Sequence, residues 1–376
     1  MGTRRLRAII DEKHRFDIRV GNRLLVNLGV HLRDTLLTST TDNAILVTDA
    51  LISPASLQKA RAGLSKAAFT VAEITLPSGR AAKSAPAVLK LLKQITLLDT
   101  RRGTLIVALG GEAVLDAAGF ASAVYQGGLP LVRVPVTLAA MVGHTLANHA
   151  ALDMGTASDR IVTDSLPVYA TCDLQSLAAN SRADWENGFA EIAQTALLEG
   201  GGSLEWLHNN VEGLVAHDEA SLQEAIVQTL AFRALALTTN ANATETCAYQ
   251  SYGRPFAHAL EAVALAVSAA APTAPVASGR ALAEGMRYCA RLAEEVINAS
   301  RELTTQQESL LTSLNLPPLL EPFDVDVLFE EMLVNAAAAR DGLRVVLLAA
   351  LGQPQEAVIH PDLIKIHLLE REIAKD

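Results

Sequence analysis

The chain has 376 residues, 50% of them hydrophobic but only 4% aromatic, and its 31 basic residues against 41 acidic ones give a formal net charge of -10. That length and apolar content suffice for two packed domains, each with its own core. An acidic field repels phosphate polymers and few rings are available to stack on bases, so nucleic-acid binding is not expected; the longest apolar runs, such as Ala259 to Ala271, are broken by Glu261 and Ser268 and fall short of a membrane span.

In chain order, Phe16 to Val20, Ala44 to Thr48 and Thr70 to Ile74 are β-branched or aliphatic runs bounded by polar residues, Gly or Pro, and they predict strands. Leu24 to Leu37, Pro54 to Ala67 and Ala85 to Leu97 carry helical spacing, and the apolar run Thr104 to Leu109 predicts a further strand. Leu131 to Val134, closed by Pro135, and Tyr169 to Cys172 continue the series. Strands alternating with helices imply a mostly parallel sheet covered by helices. From about Ser176 the pattern turns helical: Trp185 to Leu198, Ser221 to Ala241, Phe256 to Ala270, Gly279 to Ser300 and Val327 to Asp341. A strand-like run, Arg344 to Leu348, returns late, and a charged tail from Ile364 to Asp376 closes the chain. The expectation is an α/β domain over residues 1–175 and an all-α domain over residues 176–376.

Cys172, Cys247 and Cys289 have no CxxC spacing and are odd in number, which predicts free thiols rather than a disulfide framework or a thiolate zinc site. The basic stretch Met1 to Arg7 gives way to Asp11, Glu12 and Lys13 after Ile9 and Ile10, too few apolar residues for a signal peptide, so a cytoplasmic protein is expected.

The strand Thr104 to Leu109 is followed by Gly110, Gly111 and Glu112 and then by a helix of small residues, Ala113 to Val124, that includes Asp116 and Gly119. Two glycines between a strand and a helix can expose backbone amides to an anion such as a pyrophosphate; they serve equally in any tight βα turn. The residues that follow in register are Gly119-Phe120, Tyr125, Gly128, Pro130, Val134-Pro135 and Thr137-Leu138. Further on come Gly188, Ala190-Glu191, Phe256, His258-Ala259 and Glu261, Gly279, Ala281 and Gly285-Met286, with Val345 to Leu348, Gly352 and Ala357 to Ile359 near the end. This string resembles 3-dehydroquinate synthase and its sugar-phosphate cyclase relatives over about Phe16 to Ile359.

The resemblance implies an enzyme family that binds NAD and a catalytic zinc, oxidises a seven-carbon sugar-acid phosphate, eliminates phosphate, reduces again and closes a carbocycle. The family's zinc is held by one glutamate and two histidines. Here the glutamate is matched by Glu191, but the histidine positions hold Arg254 and Ser278. A guanidinium cannot become a ligand and a hydroxyl is a weak one, so catalytic zinc is expected to be absent. Arg254 either satisfies Glu191 where the cation would sit or turns to solvent.

Other family positions have also changed. The substrate loop is matched by Val142, Gly143, His144, Thr145, Leu146, Ala147, Asn148 and His149, without its acidic and lysine contacts. A family lysine and asparagine correspond to Ser158 and Asp159, another lysine to Gln194, and a phosphate-gripping arginine to Gly127. A second arginine and an asparagine correspond to Cys247 and Ser251, and a late lysine falls in Ala336 to Ala339. Losing these cations removes a preorganised phosphate clamp. Asp49, Lys83, Gly110, Gly111, Asp116 and Thr137 match family NAD contacts, whereas Glu112 replaces a third glycine and Leu51, Arg80 and Val136 replace polar contacts. The resemblance thus implies an NAD site that is weakened by a carboxylate beside the pyrophosphate position.

Glu191, His149 and His144 remain as candidates for acid or base chemistry. His144 and His149, on an expected loop, either form a new site with Asp153 or Asp159 or are solvated there, and His258 reads as a structural histidine. Two functions follow: a non-catalytic relative with a binding, partner or regulatory role, or a divergent metal-independent cyclase or lyase, or other NAD-linked enzyme, acting on a small polar substrate. The resemblance implies a homodimer, or a heterodimer with a related cyclase.

Overall fold

The structure is a computed structural model that describes the chain except residues 1, 10–14, 37–41, 99, 102, 156, 240–250, 271–275, 320–322, 336–337, 340–341 and 374–376. Cys247 therefore lies outside the described residues, as does part of the alanine run at 336–339. No helix among the described residues is long and apolar enough to cross a membrane.

The N-terminal part runs β1 (Arg4–Ile9), β2 (Arg15–Gly21), α1 (Leu28–Thr35), β3 (Asn43–Asp49), α2 (Pro54–Lys66), β4 (Thr70–Leu76), α3 (Ala85–Leu97), β5 (Leu105–Gly110), α4 (Glu112–Val124), β6 (Leu131–Pro135), α5 (Leu138–Gly143), β7 (His149–Met154), β8 (Ala157–Asp164) and β9 (Tyr169–Asp173). There follow α6 (Arg182–Glu199), α7 (Gly201–Val215), α8 (Glu219–Thr239), α9 (Arg254–Ala270), α10 (Ser278–Val296), α11 (Arg301–Ser313), α12 (Val325–Asn335), β10 (Ala338–Ala339), β11 (Gly342–Ala350), β12 (Gln353–Ile359) and α13 (Pro361–Ile373). The chain divides into two compact units, residues 1–185 with 222–234, and residues 186–221 with 235–376.

In the first unit a seven-stranded sheet has the order β1-β2-β9-β6-β5-β3-β4. Every neighbouring pair is parallel except β1 with β2. Central strands are covered on both faces, which is why they read as continuous apolar runs. Ile45, Val47, Ile106 and Ala108 pack on one side with Val88, Leu91 and Leu115. Ala44, Leu46, Val107 and Leu109 pack on the other with Leu28, Leu32 and Leu64. The chain leaves β3 for β4 at one edge and returns as β5 on β3's other side, which makes a topological switch point at the carboxyl ends of β3 and β5. Open parallel sheets bind ligands at such points.

β7 and β8 form a separate antiparallel ribbon. The expected solvated loop around His144 and His149 is thereby corrected. His144 caps the end of α5, Thr145 and Leu146 are buried, and His149 opens β7. Polar residues such as Asp153, Ser158 and Asp164 masked the alternation that marks these strands.

The second unit is mostly helical, as expected, and α6 is buried almost all round, from Gly188 to Leu198. Such a helix belongs at the centre of a bundle. The unit also carries an antiparallel sheet, β10-β11-β12, of which the sequence marked β11 most clearly.

Candidate functional site

The switch point places several expected nucleotide contacts together by topology. Asp49 ends β3, Gly110 ends β5, and Gly111 is the N-cap of α4. Asp49 is buried, and its Oδ1 accepts a hydrogen bond from the Leu51 amide at 3.1 Å. Thr137 caps α5, its Oγ1 accepting from the Ala140 amide at 3.3 Å. A Cβ on Gly110 would sit 2.6 Å from the Val114 side chain, so close packing of α4 on β5 is reason enough for that glycine.

Next to this turn, Lys83, Arg80, His144 and four carboxylates form one ion-pair network. Lys83 Nζ donates to Asp116 Oδ2 at 2.8 Å and to Asp159 Oδ1 at 2.6 Å, with Asp153 Oδ1 at 3.8 Å. Arg80 donates through Nε and Nη2 to Asp153 Oδ2, at 3.0 and 2.9 Å, and through Nη2 to Ser158 Oγ at 2.8 Å. His144 places Nδ1 3.4 Å from Glu112 Oε1 and Nε2 3.7 Å from Asp116 Oδ2. Two expected cofactor residues, Lys83 and Asp116, are thus bound to each other. Asp153 and Asp159 pair with Arg80 and Lys83, whereas His144 pairs with Glu112 and Asp116.

Charge sets the protonation states. Burial alone would push the His144 imidazole down, but the Glu112 and Asp116 carboxylates outweigh it and raise its pKa to about 10. Burial would raise Asp116, yet His144 and Lys83 hold its carboxyl well below the usual range. Burial disfavours the Lys83 ammonium, and Asp116 and Asp159 reverse that and raise it. His149 moves the other way, its pKa lowered mainly by burial, so its ring is neutral at neutral pH. A general acid or base works best with a pKa near the working pH. His144 and Asp116 are held far from it on opposite sides.

Arg133, which the sequence reading passed over, holds the residues around His144 and His149. It is 1% exposed in the middle of β6. Its guanidinium donates to the carbonyls of His144 at 2.9 Å, Ala147, His149 at 3.4 Å and Ser165 at 3.0 Å. Burial lowers its pKa to about 10, so it stays charged. Only its position between Val132 and Val134 in an apolar strand signalled it, and a single arginine there reads equally as an outward-facing residue.

In the second unit, Arg254 Nη2 donates to Glu191 Oε1. Glu191 is buried in α6, and Arg254 is the first residue of α9. The backbone entering α9 is fixed by Gly253, whose φ is +76°; a Cβ on Gly285 of α10 would lie 2.0 Å from the Gly253 carbonyl oxygen. Only glycines allow that crossing, and it determines where Arg254 begins its helix. Ser278 Oγ donates to Glu261 Oε1 at 2.5 Å. Gln194, where the family has a lysine, is buried and donates to the Tyr252 carbonyl at 2.6 Å. Of the implied zinc-ligand positions, then, one is a carboxylate ion-paired to an arginine, one is that arginine, and one is a serine bonded to another carboxylate. This donor set does not fit zinc. Gly127, where the family has a phosphate-gripping arginine, has a φ of +80°, a left-handed backbone that strains any residue with a Cβ.

Comparison with known proteins agrees with the fold and extends over most of the sequence. Residues 73–187 match the family described as 3-dehydroquinate synthase N-terminal, and residues 188–336 match 3-dehydroquinate synthase C-terminal. The 3-dehydroquinate synthase of Symbiobacterium thermophilum is 30% identical over 250 residues, covering 66% of this chain and 69% of that protein. That of Caulobacter vibrioides is 29% identical over 342 residues, 90% of each chain. Among solved structures, 2-deoxy-scyllo-inosose synthase complexed with carbaglucose-6-phosphate, NAD+ and Co2+ superposes with a TM-score of 0.85 at 18% identity, covering 98% of this chain and 100% of that one. The 2-epi-5-epi-valiolone synthase of Streptomyces hygroscopicus subsp. jinggangensis, with NAD+ and Zn2+ bound, gives 0.80 at 18% identity, covering 96% and 97%. The chain belongs to the 3-dehydroquinate synthase family, as a divergent member.

Proposed function

We propose that this chain is a non-catalytic member of its family, a cytoplasmic protein that keeps the fold for binding or for a regulatory partnership, as a homodimer or paired with a related cyclase. The observation that carries the reading is the Arg254–Glu191 ion pair: a fixed cation at a position where relatives need a metal ligand. A metal would have to compete with a charge-assisted hydrogen bond to the remaining ligand and would gain no ligand from the guanidinium. The network around Lys83 and Asp116 supports the same reading for NAD, because both matched contacts already satisfy each other and Glu112 adds a negative charge at the first turn of α4.

One observation favours the alternative, a metal-independent, NAD-linked enzyme acting on a small polar substrate. His149 is neutral and half-buried at the start of β7, with Nδ1 3.0 Å from Asn148 Oδ1, and a neutral imidazole can accept a proton. The two readings separate in a calorimetric titration with NAD, run beside an assay of phosphate release from the family's seven-carbon sugar-acid phosphate with NAD and zinc supplied. The non-catalytic reading expects NAD affinity no better than millimolar and no release above background. Micromolar NAD affinity or steady release would overturn it.

A further inference from the structure

One set of three side chains able to share a metal comes together among the described residues, and it includes none of the residues discussed above. Glu295 lies near the end of α10, and His367 and Glu370 stand one turn apart on α13. A ring nitrogen of His367 and one oxygen from each carboxylate all lie within 4.8 Å of one another.

The histidine distinguishes this set from an ordinary surface cluster of acids. His367 is 9% exposed, and its Nε2 is sealed from solvent without a hydrogen-bond partner. The facing oxygen, Glu295 Oε2, is 3.3 Å away, and Glu370 Oε2 is 3.4 Å from Nδ1. A charge-assisted hydrogen bond would run at about 2.7–2.9 Å. Two ligands of a tetrahedral ion with bonds of about 2.0–2.1 Å are separated by about 3.3 Å along an edge of the tetrahedron. The Nε2 to Glu295 spacing fits that edge better than a hydrogen bond.

Aromatic packing holds the ring in place. Tyr288 meets His367 edge-on, with centroids 6.2 Å apart at 71°, and stacks on Phe256 at 4.8 Å. Its hydroxyl donates to the Ile364 carbonyl at 3.2 Å, one turn before His367. The imidazole is therefore directed before any ion arrives, while the exposed Glu295 and Glu370 remain free to adjust around a hydrated ion.

We infer that Glu295, His367 and Glu370 bind a divalent transition-metal ion, which fastens the last helix to α10. Zinc is the ion best suited to one imidazole and two carboxylates, with water completing the shell; calcium and magnesium favour all-oxygen sites. The inference stands apart from the functional reading above, since neither requires the other.

The test is a calorimetric zinc titration of the full-length protein after treatment with EDTA, with thermal unfolding followed at each zinc level. One saturable equivalent and a zinc-dependent rise in Tm are expected. Glu295→Gln and Glu370→Gln, both exchanges of exposed side chains, should each weaken binding about tenfold or more and abolish the Tm rise, and His367→Gln should remove the site. Undiminished binding in both glutamate variants, or no saturable zinc uptake by the folded wild type, would overturn the inference. So would loss of zinc in Glu191→Gln with retention in Glu370→Gln, which would put the ion at the family position instead.

Discussion

The guanidinium of Arg254 donates to the buried carboxylate of Glu191, placing a permanent cation beside the residue that the resemblance implies as a zinc-ligand position. Removing one member of such a pair costs more than the pair contributes, because the other charge stays buried. Arg254→Leu is therefore expected to destabilise the protein by about 2 kcal/mol, less than a fully buried pair because Arg254 is partly exposed. Urea unfolding should also show most of that loss recovered in the double variant Glu191→Leu with Arg254→Leu. A loss in the double variant equal to the sum of the losses in Glu191→Leu and Arg254→Leu would mean that the pair is not coupled.

Lys83 balances Asp116 and Asp159 in a buried setting, so Lys83→Met should cost about 3 kcal/mol in urea unfolding. Asp116 has a folded pKa held below its unfolded value, so its contribution is present above the unfolded pKa and is lost as pH falls toward the folded one. The acid limb of the stability profile should accordingly flatten in the variant.

His144 has the opposite sign. Its pKa in the folded protein is raised to about 10, so its contribution is complete below the unfolded value of about 6.5 and is lost as pH rises through about 10. Wild-type stability should decline across that window relative to His144→Gln. Parallel profiles for the two proteins would show that His144 is not held protonated.

Glu112→Gly introduces the glycine that the resemblance implies at this position and removes a negative charge from the start of α4. NAD affinity measured by calorimetry is expected to improve about tenfold, the effect of one like charge removed from a helix N-terminus beside a pyrophosphate. No change would separate Glu112 from the weakened nucleotide site.

Much of this was legible in the sequence because buried parallel strands leave a plain signal. β3, β5, β6 and β9 read within a residue or two of their ends, since both faces are covered and nearly every residue is apolar. β1 was missed because the edge strand Arg4–Ile9 is rich in arginine, and the β7–β8 ribbon because its polar residues face partners such as Lys83 and Arg80. α13 read as a charged tail, although Ile364, His367 and Leu368 form a buried stripe within it. The Arg254–Glu191 pair was legible only as one of two alternatives, because proximity between residues 63 positions apart comes from the crossing at Gly253 and Gly285 rather than from spacing. Arg133 was legible only as a lone arginine in an apolar strand, and its role was not. Its partners are mostly carbonyls brought together by the turn after α5, and carbonyls carry no sequence signature.

The central claim, that the chain keeps the family fold without its reaction, is tested most directly by complementation. The gene would be expressed in a cell lacking 3-dehydroquinate synthase and plated without aromatic supplements, with folded protein confirmed in the lysate and a catalytic relative as control. The account predicts no growth with this chain and normal growth with the control. Growth with this chain would contradict it, showing that a site with Arg254 and Ser278 in place of the two histidines still supports the reaction.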